Sequence, residues 1–429
     1  MEPFLFLGDS LSFNTVFMKL HWKIIISMIV GVGVGFLFHS SGYQDNTFYN
    51  LIILLGDLFI RLLKMVIVPL VFTSIIIGVS SIKDRTKIGR LGFKTFLYYI
   101  STSLIAILIG LFLANTIQPG IGASTISSAG AYDTSQLSSS SSMLDILKRM
   151  IPTNPISAFA NGDMLAIIFF AVFFGITLSF VDSKKSSPII KVIESIYSVV
   201  IRMTQIIISL APIGVFGLMV KAVSNSGLDI FKDLGWYAAT IASGLSIHLF
   251  IVLPIILIFL VRVNPLEHFR AMAPAMVTAF STSSSSATLP VTMKCVRDNV
   301  KVSNGTTSFV LPMGSTINMD GTALYECAGV LFIAQALGIP LDAGQQFIVV
   351  FTALLASIGA AGIPSAGLVM LFIVTEAVGL QSDAVAVWVG SMLAIDRPLD
   401  MFRTMVNISS DSVGAAVIAK SEGEKLYSE

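Results

Sequence analysis

The residues with the clearest chemical potential lie in the last apolar segment of the chain, at about 384–418. On a helix that turns about 100° per residue, its polar and charged side chains fall within an arc of roughly 100°. They are Asp396, Asp400, Arg403, Thr404, Asn407 and Asp411. An ionised side chain facing the middle of a bilayer costs about 2.5–3.5 kcal/mol even on a lenient insertion scale. We therefore expect this stripe to face a wet or protein-lined site.

The composition is that of a polytopic membrane protein. Of the 429 residues, 55% are hydrophobic and 12% are charged, whereas a soluble chain carries about 25% charged residues. The net charge of +1 gives no indication of a nucleic-acid partner, and the two cysteines form neither a disulfide framework nor a metal cluster. In such a protein the stripe can hold a zwitterion that carries carboxylates, together with one or more small cations.

Eight apolar runs are long enough to cross a bilayer. They lie at about 22–38, 51–82, 94–117, 159–181, 189–220, 235–262, 306–338 and 384–418. Two further runs, at about 266–297 and 345–380, are interrupted by small and polar residues near their centres. The first run is too far from the N-terminus and too rich in glycine for a signal-peptide core, so we interpret it as a spanning helix.

Basic residues predict the orientation of the spans. Lysine and arginine are absent from 95–147 and from 302–396, and they cluster around the opposite ends of the runs. The positive-inside rule then predicts that both termini are cytoplasmic, in a plasma (inner) membrane. The serine-rich segment 124–142 is predicted to be extracellular, and we assign no chemistry to this low-complexity sequence.

Three broken segments precede the polar helix. Residues 282–290 are mostly hydroxyl residues and end in proline, which predicts a hairpin tip. Residues 314–322 interrupt an apolar helix, and residues 357–367 contain glycine and proline at a turn. Irregular backbone at membrane depth is tolerated only where it lines a cavity or is buried in protein. Paired interrupted segments indicate a transporter binding site, because unwound carbonyls suit Na⁺ and half-helix N-termini suit a carboxylate.

Four motifs resemble the glutamate/aspartate transporter family, the dicarboxylate/amino acid:cation symporters. They are SSSSATLP at 283–290, NMDGTALYE at 318–326, AAGIPSAG at 360–367 and DMFRTMVN at 400–407. The resemblance continues at 61–72 and 151–155 and covers residues 19–422. It implies an all-α polytopic fold with eight transmembrane helices, two re-entrant helical hairpins and inverted repeats. It also implies a homotrimer that moves substrate by an elevator mechanism.

The same resemblance predicts how the chain is divided. Residues 1–93, with the first two spanning helices, would belong to the scaffold. Residues 94–123 would form the third spanning helix, in the transport domain, and residues 124–142 the extracellular loop. Residues 143–225, with the fourth and fifth spanning helices, would complete the scaffold and trimer contact. Residues 226–429 would form the transport domain, with the sixth to eighth spanning helices and both hairpins.

Carried over residue by residue, the resemblance implies a site for L-glutamate or L-aspartate. Arg403 would pair with the side-chain carboxylate, which its planar guanidinium suits, and Asp400 would take the ammonium group. Backbone at the two hairpin tips would hold the α-carboxylate. The full set is Ser283, Ser284, Ser285, Thr322, Ile363, Pro364, Ala366, Gly367, Asp400, Arg403, Thr404 and Asn407.

The resemblance also implies three oxygen-lined sites for co-transported Na⁺, an ion that hard oxygen ligands suit. The first set is Asp411 with carbonyls of Gly314, Asn318 and Asn407. The second set is the carbonyls of Thr316, Ser357, Ile358 and Ala360. The third set is Tyr99, Thr102, Ser103, Asn318 and Asp320. We expect no prosthetic group.

Two residues bear on coupling. Family members usually carry a second arginine at the position of Ser283 or Met401, and here an arginine stands at Arg397 instead. We hypothesise that Arg397 replaces it and pairs with Asp400 when substrate is absent; the alternative is an interface charge paired with Asp396.

A glutamate at the position of Glu326 looks like the proton carrier of sodium/proton-coupled relatives. The alternative is a neutral, hydrogen-bonded structural glutamate, so H⁺ coupling stays open.

Other functions fit the residues less well. A C4-dicarboxylate has no ammonium group for Asp400, and a neutral amino acid would have little use for Arg403. An ion channel would need a continuous pore with weak, repeated sites. The hydroxyl run has no recognisable His or Lys base and no GxSxG motif, so we expect no enzyme. We expect His248 to be a packed residue rather than a ligand.

Overall fold

The computed structural model describes residues 20–41, 46–80, 87–123, 148, 151–228, 230–360, 366–380 and 383–427. Within these ranges the chain is almost entirely helical and contains no strand, which confirms the all-α prediction. The serine-rich segment 124–142 and the predicted substrate residues Ile363 and Pro364 lie outside the described residues.

In the described part of the first half, the chain forms seven helices. They are α1 (Leu20–Ser41), α2 (Thr47–Ser80), α3 (Lys87–Ile117), the short α4 (Pro155–Asn161), α5 (Met164–Phe180), α6 (Ser183–Ser209) and α7 (Ala211–Ser226). Helix α7 packs against α1 and α2, and α2 also packs against α5 and α6.

The second half forms a rod, two hairpins, a broken helix and one long helix. The rod begins with α8 (Ile230–Ile247) and continues through π-helical segments at His248–Val252 and Leu257–Val261. The other helices are α9 (Pro265–Thr282), α10 (Ser285–Asp298), α11 (Asn304–Ile317), α12 (Asp320–Ala336), α13 (Ala343–Gly359), α14 (Ala366–Ala377) and α15 (Asp383–Ser421).

Four helices are long and apolar enough to cross a membrane by length and composition, within the described residues. They are Trp22–Ser41, Arg90–Ile117, Ser183–Ser209 and Ile230–Val261. Shorter apolar helices include residues 166–180, 211–225 and 343–358. Together these helices support a membrane location for the protein.

The run at 189–220, which the sequence predicts as one span, is broken. Helix α6 ends at Ser209, and α7 begins at Ala211 with Pro212 in its first turn. Proline lacks a backbone N–H, so it suits the first turn of a helix, where that group would have no intrahelical partner. The chain therefore begins a new helix here.

Glycines allow α1 to approach α7 closely. A Cβ atom added to Gly31 would lie 2.9 Å from the Cβ of Met219, and one added to Gly35 would lie 2.9 Å from the Cβ of Val223. Small residues let helix backbones approach where lipid surrounds them, so van der Waals contact can hold the pair together. Gly31 and Gly35 are therefore packing requirements, whereas an added Cβ at Gly33 would meet no atom within 4 Å.

The C-terminal tail ties three helices together. The Glu422 carboxylate accepts hydrogen bonds from Lys94 and Arg90 on α3, and these bonds hold its pKa below the ordinary value. Glu424 accepts from the backbone and hydroxyl groups of Ser303 at 2.8 and 2.7 Å, at the N-terminus of α11. Tyr427 places its hydroxyl 2.5 Å from Nδ1 of His268 on α9. The tail thus holds α3, α9 and α11 at the same end of the molecule.

The hairpins and the broken helix surround α15. Helices α9 and α10 pack against each other and against α15, and α11 and α12 both contact α15. The first hairpin turns at Ser283, whose φ of 52° is left-handed. Helices α11 and α12 are separated by Asn318 and Met319. The predicted broken segments at 282–290 and 314–322 therefore end helices next to the polar face of α15.

Candidate functional site

The polar stripe on α15 is buried, as the cost of membrane exposure predicts. Asp396, Arg403 and Asp411 are each at most 2% exposed, and Asp400 is 5% exposed. Their surroundings are the hairpins and the broken helix, which pack on α15. The stripe therefore faces protein, and its charges depend on one another.

Arg403 lies at the centre of this charge cluster. Its Nη2 donates a hydrogen bond to Oδ1 of Asp400 at 2.8 Å and lies 3.1 Å from Oδ1 of Asp396. The guanidinium carbon lies 3.8 Å from the centre of the Tyr325 ring, in a cation–π contact. Asp396 therefore lies within ion-pair distance of Arg403.

Two donors of Arg403 remain available. Its Nε and Nη1 have no hydrogen-bond partner among the described residues, although both are buried. A Cβ atom added to Gly367 at the start of α14 would lie 2.9 Å from Nη1 and 3.2 Å from Cζ. The guanidinium therefore faces the second hairpin, where only a glycine leaves it room. Each of these N–H groups can donate a charge-assisted hydrogen bond to a carboxylate oxygen.

Arg397 contacts Asp400 but does not bond it closely. Its Nη1 lies 3.7 Å from Oδ2 of Asp400, three residues away on the same helix. Asp400 therefore lies between the two arginines. The contact agrees with the hypothesis that Arg397 pairs with Asp400, and its role in transport stays a prediction.

The first hairpin tip presents hydroxyl groups beside this cluster. Ser283, Ser284 and Ser285 are all buried. Ser284 caps α10 by accepting a hydrogen bond from the Ala287 backbone at 3.2 Å. The Ser283 hydroxyl has no partner within the described part of the chain. The helix N-terminus and an unsatisfied hydroxyl at this tip suit an anionic group.

Thr322 and Asn407 come together across α12 and α15. The Asn407 amide donates to the Thr322 hydroxyl at 3.3 Å and accepts from the Gly321 backbone at 2.8 Å. Thr404 bonds instead to the carbonyl of Asp400, within its own helix. Ala366 begins α14. The contacts among the described members of the predicted substrate set thus link Thr322 to Asn407, Asp400 to Arg403 and Arg403 to Gly367, whereas Thr404 bonds within its own helix.

The first predicted Na⁺ set converges at the break between α11 and α12. The Asn318 amide donates to Oδ1 of Asp411 at 2.9 Å. A Cβ atom added to Gly314 would lie 2.5 Å from both Oδ1 of Asp411 and the Tyr99 hydroxyl. The Gly314 backbone therefore packs directly against both oxygens, with no room for a side chain.

The third predicted Na⁺ set lies next to Gly314 and includes three residues of α3. The Thr102 hydroxyl lies 3.4 Å from the side-chain oxygen of Asn318. The Ser103 hydroxyl donates to Oδ1 of Asp320 at 2.6 Å. Tyr99 bonds the Val310 carbonyl at 2.9 Å. These oxygens are brought together as the sequence predicts.

The second predicted set is placed more loosely. Ser357, Ile358 and Ala360 are buried at the end of α13, whereas Thr316 on α11 is exposed. The hydroxyls of Thr316 and Ser357 each bond a carbonyl of their own helix. Helices α11 and α13 are nevertheless in contact. This set lies beside the second hairpin, whose tip is outside the described residues.

Glu326 lies one turn beyond Thr322 on α12 and is fully buried. Neither of its carboxyl oxygens has a hydrogen-bond partner among the described residues. Arg403 is close enough to act on it electrostatically. The alternative, a structural glutamate held by hydrogen bonds, would need a partner for Glu326, and the described part of the chain supplies none.

His248 is a polar residue of the site that the sequence reasoning missed. It is fully buried, and its Nε2 lies 2.9 Å from Oδ2 of Asp320. We expected a packed residue, and the ring is packed, but it also bonds a predicted cation ligand. A buried imidazole requires a hydrogen-bond partner. From the sequence, this requirement predicts that His248 has a hydrogen-bond partner. It does not identify the distant residue that supplies it.

Comparison with known proteins agrees with this geometry. The sequence profile of the sodium:dicarboxylate symporter family matches residues 20–421. The chain belongs to this family. It is 33% identical to excitatory amino acid transporter 3 of mouse, over 96% of this chain and 87% of that protein. It is 33% identical to the proton/glutamate-aspartate symporter of Escherichia coli K12, over 94% of this chain and 93% of that protein.

The close packing at Gly314 allows a test of the first predicted Na⁺ set in this member of the sodium:dicarboxylate symporter family. We expect Gly314→Ala to weaken Na⁺ binding by at least about tenfold, the lower end of the effect of disturbing a metal site's supporting residues. The added methyl group would occupy the space between Asp411 and Tyr99, so one of them has to move. The measurement is calorimetric titration of the purified protein in nanodiscs with NaCl, at constant ionic strength.

Gly305→Ala is the matched control, because it lies on the same helix with its nearest added contact 4.0 Å away. It should bind Na⁺ like the unmodified protein. Equal Na⁺ affinity in both variants would contradict an ion site at Gly314.

Proposed function

We propose that the protein is a secondary active symporter that imports L-aspartate and L-glutamate together with Na⁺. The observation that carries the proposal is the buried Arg403, whose Nε and Nη1 remain unpaired among the described residues while Nη2 contacts two aspartates. A buried cation with donors left over is expensive unless a ligand completes it. The carboxylate of an acidic side chain would supply charged acceptors for these donors.

Asp400 supports an amino acid over a C4-dicarboxylate. Its Oδ2 lies 3.7 Å from Arg397, a contact longer than a hydrogen bond. A substrate ammonium group could replace this contact, and Arg397 would then turn away. A dicarboxylate offers no cation for Asp400, and a neutral amino acid leaves Arg403 incomplete. Acidic amino acids satisfy both groups.

The names of the relatives support the same substrate class. The mouse relatives include excitatory amino acid transporters 3 and 2, and the Escherichia coli relative is named a proton/glutamate-aspartate symporter. The family itself is named for sodium and dicarboxylates. A passive ion channel is disfavoured because the buried, charged site described above is a binding site rather than a series of weak ones.

Coupling ions are required for uphill uptake of an anion. Each net positive charge carried inward gains about 2.3 kcal/mol per 100 mV, which is a factor of roughly 50 in accumulation. An acidic amino acid carries a net negative charge, so more than one cation must accompany it for the potential to favour uptake. The three oxygen-lined sets, with Asp411 and Asp320, would hold Na⁺, and Glu326 would carry H⁺.

We propose the family's elevator architecture, with eight spanning helices and two re-entrant hairpins arranged as inverted repeats. The contacts of α1 and α2 with α7 support their grouping as a scaffold, which would form the homotrimer. The contacts of α3 with α12 and α8 support its place in the transport domain. The protein would lie in the plasma membrane with both termini cytoplasmic.

Uptake by proteoliposomes tests the substrate and the coupling ion together. We expect labelled L-aspartate and L-glutamate to accumulate under an inward Na⁺ gradient, and unlabelled succinate to compete weakly. Imposing Na⁺, H⁺ and K⁺ gradients separately identifies the ions that drive uptake. Arg403→Gln should abolish uptake of both amino acids, because the amide cannot form the bidentate charged pair. Uptake of succinate but neither amino acid would overturn the proposal.

Arg397→Ala tests whether this arginine completes the site. If it competes with the substrate ammonium for Asp400, its removal should change both the substrate affinity and the dependence of that affinity on cations. Arg270→Ala is the control, because Arg270 is exposed on α9. The measurement is substrate binding at several Na⁺ and K⁺ concentrations. Unchanged affinity and cation dependence would remove this role from Arg397.

Glu326→Gln tests proton coupling. The amide is nearly isosteric and cannot release a proton, so we expect uptake to lose most of its pH dependence. Glu267→Gln, an exposed carboxyl on α9, is the control. The readout is uptake under fixed Na⁺ with and without a pH gradient. Full pH dependence in Glu326→Gln would assign the proton to another group.

A further inference from the structure

His248 occupies an irregular point of the α8 rod. The rod changes from α-helix to π-helix at this residue, and the π segment runs from His248 to Val252. Single π turns inside α-helices are frequent at functional sites, because the extra residue turns a side chain out of register. At this turn the imidazole meets α12, which carries Asp320 near its N-terminus.

Asp320 is held by three donors from three different helices. Its Oδ2 accepts from Ser410 on α15 at 2.6 Å and from His248 Nε2 at 2.9 Å. Its Oδ1 accepts from Ser103 on α3 at 2.6 Å. Each carboxylate oxygen offers about two acceptor positions. Oδ2 is therefore filled, and Oδ1 keeps one position beside the hydroxyls of the third predicted Na⁺ set.

The hydrogen bond determines what His248 can do. Asp320 is an acceptor, so Nε2 carries the proton and donates it. Nδ1 has no partner among the described residues, and the ring is fully buried. The imidazole therefore has one polar contact within that part of the chain, and that contact is Asp320. It lies on the side of the carboxylate away from Ser103.

We infer that His248 is a positioning residue for a cation site at Asp320. By filling Oδ2 it holds the carboxylate in one rotamer and leaves Oδ1 as a single, outward ligand. A site with one available carboxylate oxygen among neutral hydroxyls suits a monovalent ion. The inference rests on the proposed function only in taking Na⁺ as the ion. His248 itself touches neither substrate nor ion.

The test measures Na⁺ binding by the substrate-free protein in nanodiscs, titrated with NaCl against choline chloride. His248→Leu removes the donor and keeps the volume. Replacing residues that hold a metal ligand costs about 10–100-fold in affinity, and we expect this loss in the Na⁺ dissociation constant. His248→Gln retains an N–H donor and should stay within about threefold, below that range.

Thr240→Val is the matched control. Thr240 is buried two turns earlier on α8, and its hydroxyl bonds only the Trp236 carbonyl among the described contacts. It should leave the Na⁺ affinity unchanged. The thermal midpoint of every variant is measured in choline chloride, because a purely structural role would lower that midpoint and leave the Na⁺ affinity intact.

The outcomes separate this inference from the proposed function. If the unmodified protein binds Na⁺ and both His248→Leu and His248→Gln bind it equally well, the inference is overturned. If His248→Leu does not fold, His248→Asn is compared with His248→Gln, because the shorter amide of asparagine cannot reach Asp320. A Na⁺ affinity more than tenfold weaker in His248→Asn supports the inference. Equal affinities in the two variants overturn it. If the unmodified protein binds and transports acidic amino acids without Na⁺, the proposed coupling fails instead.

Discussion

The interaction on which the site depends is the burial of Arg403 between two aspartates. A guanidinium cannot lose its proton, so its charge has to be compensated in place. Asp396, Asp400 and the face of Tyr325 compensate part of it, and the remaining donors face the second hairpin. Removing one partner of a buried pair costs about 3–5 kcal/mol, more than the pair itself contributes. Helices α12 and α14 therefore have to stay close to α15 for the fold to hold.

The close approach of these helices explains why glycines recur around the charges. Gly321 would place a Cβ atom 2.9 Å from the backbone oxygen of Arg403, and Gly367 would place one against its guanidinium. Gly314 does the same at Asp411. At each point the absence of a side chain lets a neighbouring helix pack directly against a polar group of α15. The broken helices and the glycines thus serve the same requirement, which is close packing of backbone against the charged face of α15.

The sequence predicted the all-α fold, the broken segments and the residues at the centre of the site, because a charge in an apolar run has few permitted places. It could not predict partners that lie far apart along the chain. Spacing along the helix suggested Arg397 as one possible partner of Asp396, and the structure also places Arg403 within 3.1 Å of it. His248 was taken as a packed residue because nothing local identified Asp320, 72 residues away, as its acceptor. Hydropathy did not predict the helix break near Pro212, because the run at 189–220 is apolar on both sides of it.

The charges of the site also explain why substrate and cations should bind together. Asp396 and Asp400 balance Arg397 and Arg403, so this group is near neutral before substrate binds. An acidic amino acid then adds a net negative charge beside Asp320 and Asp411, in surroundings where uncompensated charge is expensive. Cations held by the three predicted Na⁺ sets would offset that charge, so substrate and cations would each lower the cost of binding the other. Such coupling is reciprocal, so the substrate must raise cation affinity by the factor by which the cations raise substrate affinity.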